Sequence, residues 1–228
     1  MNTIQFRTGS VARRQAGRGF TLVEMMVVVA MIALIVAAMA PAVFSTLVST
    51  RLTSAGESLA GQISLARQIA VSGNQSVEVR FYSYEDPESP GSKAAYKAIA
   101  IMRSSTSGGG TTTGSNMAQL TETFYLPSGI VIGDSADASP ILASGSIVAH
   151  TDTERIIKRT TTARYKAFQI NADGSTNLEK LMGAGFHPNL AYFTMGEERA
   201  MESDSSIPKN FFAIQVDPST SRTSTYRP

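Results

Sequence analysis

The 228-residue sequence contains no cysteine. That excludes a disulfide framework and a thiolate metal site, so the C-terminal region has to be held by packing and hydrogen bonds. Histidine is almost as scarce: His150 and His187 are the only two, far apart in sequence. The run from His150 to Glu154 alternates polar side chains like a metal cluster, but it reads better as a solvated loop. Asp134 and Asp137, near Ser135 and Ser139, resemble a weak cation loop that lacks the spacing of an EF-hand. Gly108-Gly109-Gly110 has no lysine or helix after it, so it is not a phosphate loop. Serine is plentiful, yet none sits in a Gly-x-Ser-x-Gly elbow. The expectation is a protein that is not an enzyme, with no cofactor and no resident metal.

Acidic residues are absent from the first 19 positions, which carry Arg7, Arg13, Arg14 and Arg18. The formal charge of +2 depends on those four arginines. Without residues 1–19, sixteen basic residues face 18 acidic ones and the net charge is −2. A chain of that charge is a poor general partner for nucleic acid.

From Phe20 to Phe44 the chain is apolar apart from one carboxylate, Glu24. At about 1.5 Å per residue this run makes roughly 37 Å of helix, enough to cross a hydrocarbon core of about 30 Å. The basic flank predicts that residues 1–19 stay cytoplasmic. A carboxylate inside such a segment is costly and calls for a cationic partner. Gly17-Arg18-Gly19 lies before the apolar run, whereas a secretory signal places its small-residue site after it. Cleavage after Gly19 would remove the leader, keep the helix and create a new amine at Phe20, close to Glu24.

The combination of arginine leader, Gly19, Phe20, Thr21-Leu22-Val23, Glu24 and Pro41 resembles the N-terminus of type IV prepilins and type II secretion pseudopilins. The resemblance implies that a prepilin peptidase cleaves between Gly19 and Phe20 and methylates the new amine. It also implies that Glu24 guides insertion of the subunit among other pilin or pseudopilin subunits. Pro41 stands where this family often bends its helix, and it removes one backbone donor there.

Beyond Pro41 the apolar residues narrow to a stripe. Phe44, Leu47, Val48, Leu52, Ala55, Leu59, Ile63, Ala66 and Ile69 recur every three or four positions, as in a helix with one buried face. Ser72-Gly73-Asn74 is a helix stop. Gly56 and Gly61 weaken the helix by about 1 kcal/mol each, unless they let a sheet approach closely. The rest reads as strands: Ser76 to Tyr84 half-buried by its period of two, then Tyr96 to Met102, Thr121 to Leu126 and Gly129 to Ile132. Ala163 to Ile170 runs into an Asn-Ala-Asp-Gly turn. Leu190 to Thr194, Phe211 to Val216 and a last strand near Arg222 to Tyr226 complete the set. Residues 104–119 are Ser/Thr/Gly-rich and read as a mobile loop, and 133–146 as a polar loop.

The expected fold is α+β, a long N-terminal helix packed on an antiparallel sheet. Its divisions are a cleaved basic leader (1–19), a transmembrane or filament-core helix (20–44), an amphipathic helix (45–73) and a β-rich globular domain (74–228). The helix end from Leu59 to Ala70, with its Ala66-Arg67 pair, resembles the GspH/FimT-like branch of minor pilins and pseudopilins. So do the strand-and-turn from Phe168 to Gly174 and the closing strand from Phe212 to Val216.

The leading expectation is a minor pilin or pseudopilin, anchored in the inner membrane before it joins a filament. An alternative is DNA binding for uptake, which some FimT-like proteins perform through a basic C-terminal segment. Here Arg222, Tyr226 and Arg227 could meet phosphates and a base, but the matching glycine is missing. A third reading is a periplasmic protein tethered by an uncleaved helix.

Overall fold

The three-and-four spacing after Pro41 forms the expected helix, α1 (Leu22–Ser72), in the computed structural model of the chain. The structure describes residues 19–85, 93–103, 118–143, 150–152, 157, 163–183, 186–203 and 207–228. The chain divides into two units, Met1–Ser45 and Thr46–Pro228, and α1 contributes to both. Pro41 lies within α1, in the stretch 39–45 whose side chains are outside the description.

In the second unit, Leu52, Ala55, Leu59, Ile63, Ala66 and Ala70 form the buried face of α1. Burying a leucine or isoleucine stabilises by about 1.5–3 kcal/mol, so this face alone outweighs the cost of two helical glycines. Leu47 departs from the expected stripe and is 48% exposed. Among the described residues the first α1 residue in the core is Leu52, more than a turn further on. At the other end, Ile69 is only partly buried and Ala70 takes the last core position.

The helix stop forms where expected, but asparagine makes it rather than glycine. Asn74 adopts a left-handed φ of 46°. Its N–H donates to Val71 O at 3.3 Å, and the Gln75 N–H donates to Ala70 O at 3.1 Å. A left-handed residue with these two crossed bonds is a Schellman closure, which satisfies carbonyls the helix would otherwise leave open.

Behind α1 stands an antiparallel sheet in the order β5-β6-β1-β2-β4-β7-β8-β9, with β3 pairing β2 off that path. The strands are β1 (Val77–Tyr84), β2 (Ala95–Arg103), β3 (Phe124–Tyr125), β4 (Ile130–Ile132), β5 (His150–Asp152), β6 (Ala163–Ile170), β7 (Tyr192–Glu197), β8 (Phe211–Val216) and β9 (Thr223–Tyr226). The α+β expectation therefore holds. Phe81, Phe168 and Phe193 meet beneath the helix, with Phe81 5.2 Å from Phe193 and 6.0 Å from Phe168.

Strand β1 is not half-buried as its alternation suggests, because both faces are covered. Val77, Val79 and Phe81 join the helix-side core, while Tyr82 and Tyr84 join a second cluster with Ala98, Met102, Ile157 and Tyr165. On that second side Arg80 Nε donates to Glu78 Oε1 at 2.7 Å, and its guanidinium lies 4.2 Å from the Tyr165 ring centre. Burial opposes the Arg80 charge, but Glu78 and Tyr82 outweigh it and raise its pKa.

Other segments differ in detail from the sequence reading. The residues expected to be a polar loop over 133–146 include a short helix, α2 (Pro140–Ala143), with Ile141 and Leu142 in the core. Buried Ser139 precedes it and accepts the Thr194 N–H at 3.1 Å. Two further helices, α3 (Leu178–Met182) and α4 (Glu198–Ser203), flank a 3-10 turn at Pro188–Leu190 and strand β7. These helices are too short to show a periodicity in sequence. Of the loop expected over 104–119, only Ala118 and Gln119 are described. They pair with β2, through Arg103 N–H to Ala118 O at 2.9 Å and a bridge from Met102 to Gln119.

The cysteine-free C-terminus is held by hydrogen bonds, as expected. Strand β9 pairs with β8 from Thr223 to Tyr226. Arg67 Nε of α1 donates to Thr220 O at 2.7 Å, and buried Ser221 Oγ donates to Gly174 O at 2.7 Å. The Thr176 N–H donates to Pro218 O at 2.7 Å, joining the two turns. Asp217 Oδ1 accepts the Ser219 N–H at 2.8 Å, which holds its carboxyl below the usual range.

Gly56 and Gly61 have opposite roles. A Cβ on Gly56 would lie 2.3 Å from the Phe212 ring, whereas one on Gly61 would meet nothing within 4 Å. Gly56→Ala is expected to destabilise by about 1–3 kcal/mol through overpacking. Gly61→Ala is expected to stabilise by up to about 1 kcal/mol through helix propensity. Thermal unfolding followed by circular dichroism should show the midpoints moving in opposite directions; equal shifts would contradict the close approach at Gly56.

Candidate processing and assembly site

Helix formation at the N-terminus is controlled by Thr21. Gly19, Phe20 and Thr21 precede α1, which begins at Leu22 rather than at Phe20. The Thr21 Oγ1 accepts the Glu24 N–H at 3.2 Å, and Thr21 O accepts the Met25 N–H at 3.2 Å. Thr21 is thus the N-cap, satisfying a backbone donor that the first turn would otherwise leave open. The sequence reading used Thr21 only as part of a motif and missed this role. The signal was available, because Thr21-Leu22-Val23-Glu24 has the Thr-x-x-Glu spacing of a capping box.

This arrangement places the Gly19–Phe20 bond in exposed, non-helical backbone, with Phe20 71% exposed. Glu24 sits in the first turn of α1 and is also exposed. The helix dipole favours a carboxylate at that end, so the local structure accommodates the charge before any partner arrives. Beyond Glu24 the helix is apolar on every side: Met25, Met26, Val29, Ile32, Leu34 and Val36 are all exposed. A helix hydrophobic all round belongs in an apolar surrounding rather than in water. Among the described residues, no helix is long and apolar enough to cross a membrane; the side chains of the apolar run are described as far as Ala38.

The other sequence candidates do not assemble into a second site. Asp134 and Asp137 are exposed on the turn before α2, and the Asp137 carbonyl accepts the Tyr192 hydroxyl at 2.8 Å. His187 is exposed beside the 3-10 turn, and the His150 side chain lies outside the described residues. At the C-terminus, Arg222 is exposed and Tyr226 is 62% exposed, its ring 5.9 Å from Phe211. Arg227 instead donates to Ser49 O of α1 at 2.9 Å and to Asn210 Oδ1 at 3.2 Å. One of the two arginines that could have met phosphate is therefore committed within the chain.

A family model described as the prokaryotic N-terminal methylation motif matches residues 14–40. The match spans the end of the basic leader, the cap and most of the apolar run. The chain carries a type IV prepilin-like N-terminus. No curated protein and no solved structure matches the chain.

Removing the cap tests the local geometry. Thr21→Val should cost about 1 kcal/mol of helix stability at this end, and Thr21→Ser should cost little. Hydrogen exchange at the Glu24 and Met25 amides is the measurement. Valine should speed it by roughly fivefold while serine leaves it near wild type; equal exchange in all three proteins would contradict capping by Thr21.

Proposed function

We propose that the protein is a structural subunit, a minor pilin or pseudopilin. Prepilin peptidase would cleave it between Gly19 and Phe20 before it joins a type IV pilus or a type II secretion pseudopilus. The observation that carries this reading is the methylation-motif match over residues 14–40, on a helix apolar all round with one carboxylate in its first turn. Before assembly the apolar run lies in the inner membrane as a single pass, leader inside and globular domain in the periplasm. The leader arginines favour that orientation. The sheet-backed α1 and the closing β8–β9 hairpin support placement in the GspH/FimT-like branch.

The mechanism follows from charge and cover. Phe20 gains an amine on cleavage, and methylation keeps that amine cationic. In a bundle of like helices, the Glu24 carboxylate of one subunit lies within reach of the Phe20 amine of another. Leaving the bilayer for such a bundle exchanges lipid for protein contacts around the apolar run, so the ion pair supplies register where the apolar surface cannot. Partners are accordingly prepilin peptidase, the inner membrane and other pilin or pseudopilin subunits. With Arg227 tied to Ser49, the alternative of DNA binding for uptake rests on the exposed Arg222 and Tyr226.

Glu24→Val should leave processing intact, because the residue lies beyond the scissile bond. It should lower filament incorporation by an order of magnitude or more, since removing one partner of a buried pair costs about 3–5 kcal/mol. Quantitative immunoblotting of sheared filaments against total processed protein reads this directly. Wild-type incorporation of the valine variant would overturn the assembly role.

A further inference from the structure

Arg227 ties the C-terminal segment to α1 at Ser49. Leu52 is the first helix residue in the core, while Leu47, Thr50 and Arg51 are exposed. At Ser49, almost one turn before Leu52, Arg227 Nη1 donates to the backbone oxygen at 2.9 Å. Arg227 Nη2 donates to the Ser49 hydroxyl and to Asn210 Oδ1. The planar fork thus grips the backbone and side chain of one helix residue while anchored to the start of β8.

The helix needs such a grip at this point. Thr50 Oγ1 donates to Thr46 O at 2.9 Å, and Thr53 Oγ1 donates to Ser49 O at 3.1 Å. Hydroxyls bonded back to the preceding turn compete with the helix ladder and soften or bend it. Pro41, upstream, removes a further donor from the ladder. These hydroxyl bonds flank and include Ser49, the residue that the guanidinium grips.

We propose that Arg227 is a clamp that fixes α1 to the sheet at Ser49, so that loosening of the helix upstream stops there. The second point of the brace is Arg67, which bonds Thr220 O at the far end of the same C-terminal segment. Between these two contacts the chain turns at Ser221, whose φ is 49°, and then runs extended as β9 from Thr223 to Tyr226. The helix from Ser49 to Arg67 spans roughly 27 Å at about 1.5 Å per residue. The C-terminal segment thus touches α1 at two points, Ser49 and Arg67. A disulfide could hold the C-terminus, but this contact also holds the helix.

Hydrogen exchange on the full-length protein in detergent micelles tests the clamp. In Arg227→Gln, the amides of Leu52 to Ala55 should exchange about tenfold faster, while those of Phe212 and Ile214 in β8 stay at wild-type rates. Arg227→Lys, which keeps the charge but not the fork, should give intermediate rates at Leu52 to Ala55. Unchanged exchange at these helix amides in the glutamine variant would overturn the proposal. An equal acceleration in β8 would overturn it too, because Arg227 would then be an anchor of the hairpin alone.

Discussion

Burial of the α1 stripe from Leu52 to Ala70 against the sheet is the contact on which the globular unit depends. Leu59 and Ile63 lie at its centre with no exposed surface, packed among residues from distant parts of the sequence such as Phe81, Phe193 and Phe212. Short strands such as β3 and β4 could not persist alone, and they gain stability from sharing a face with this helix. Gly56 shows how close the approach is, since the Phe212 ring occupies the space a side chain would need. The sheet is also covered on its other side, where Arg80, Glu78 and Tyr165 combine charge pairing with aromatic contact.

The same helix carries a different obligation at its other end. Residues from Met25 to Val36 are apolar around the whole circumference, and no face is reserved for a sheet. Such a surface is suited to an apolar surrounding rather than to water. Glu24 and the Thr21 cap give it a defined start, with non-helical backbone immediately before it. α1 is therefore physically divided: one part is apolar all round, and the other holds the protein's own domain.

Much of this was legible in the sequence because it rests on periodicity and on rare residues. The spacing of Leu52, Ala55, Leu59, Ile63 and Ala66 identified the buried face, and the isolation of Glu24 in an apolar run drew attention to that position. What escaped depended on distant partners. Alternation in β1 could not show that a second cluster covers its polar-looking face, since Ile157 and Tyr165 come from elsewhere in the chain. Helices α2 and α3 were too short to reveal a period. Leu47 fitted the stripe but lies before the sheet begins, and Arg227 looked like a free surface charge until Ser49 was placed beside it. Thr21 was a different kind of miss, because its capping role is local and its spacing from Glu24 was in plain view.

In the proposed function, proteolysis creates the partner for Glu24. Mass spectrometry of the protein isolated from cells with active prepilin peptidase tests it most directly. The account predicts a chain beginning at Phe20 with a methyl group on its amine. A chain that retains Met1 and the arginine leader in those cells would contradict it.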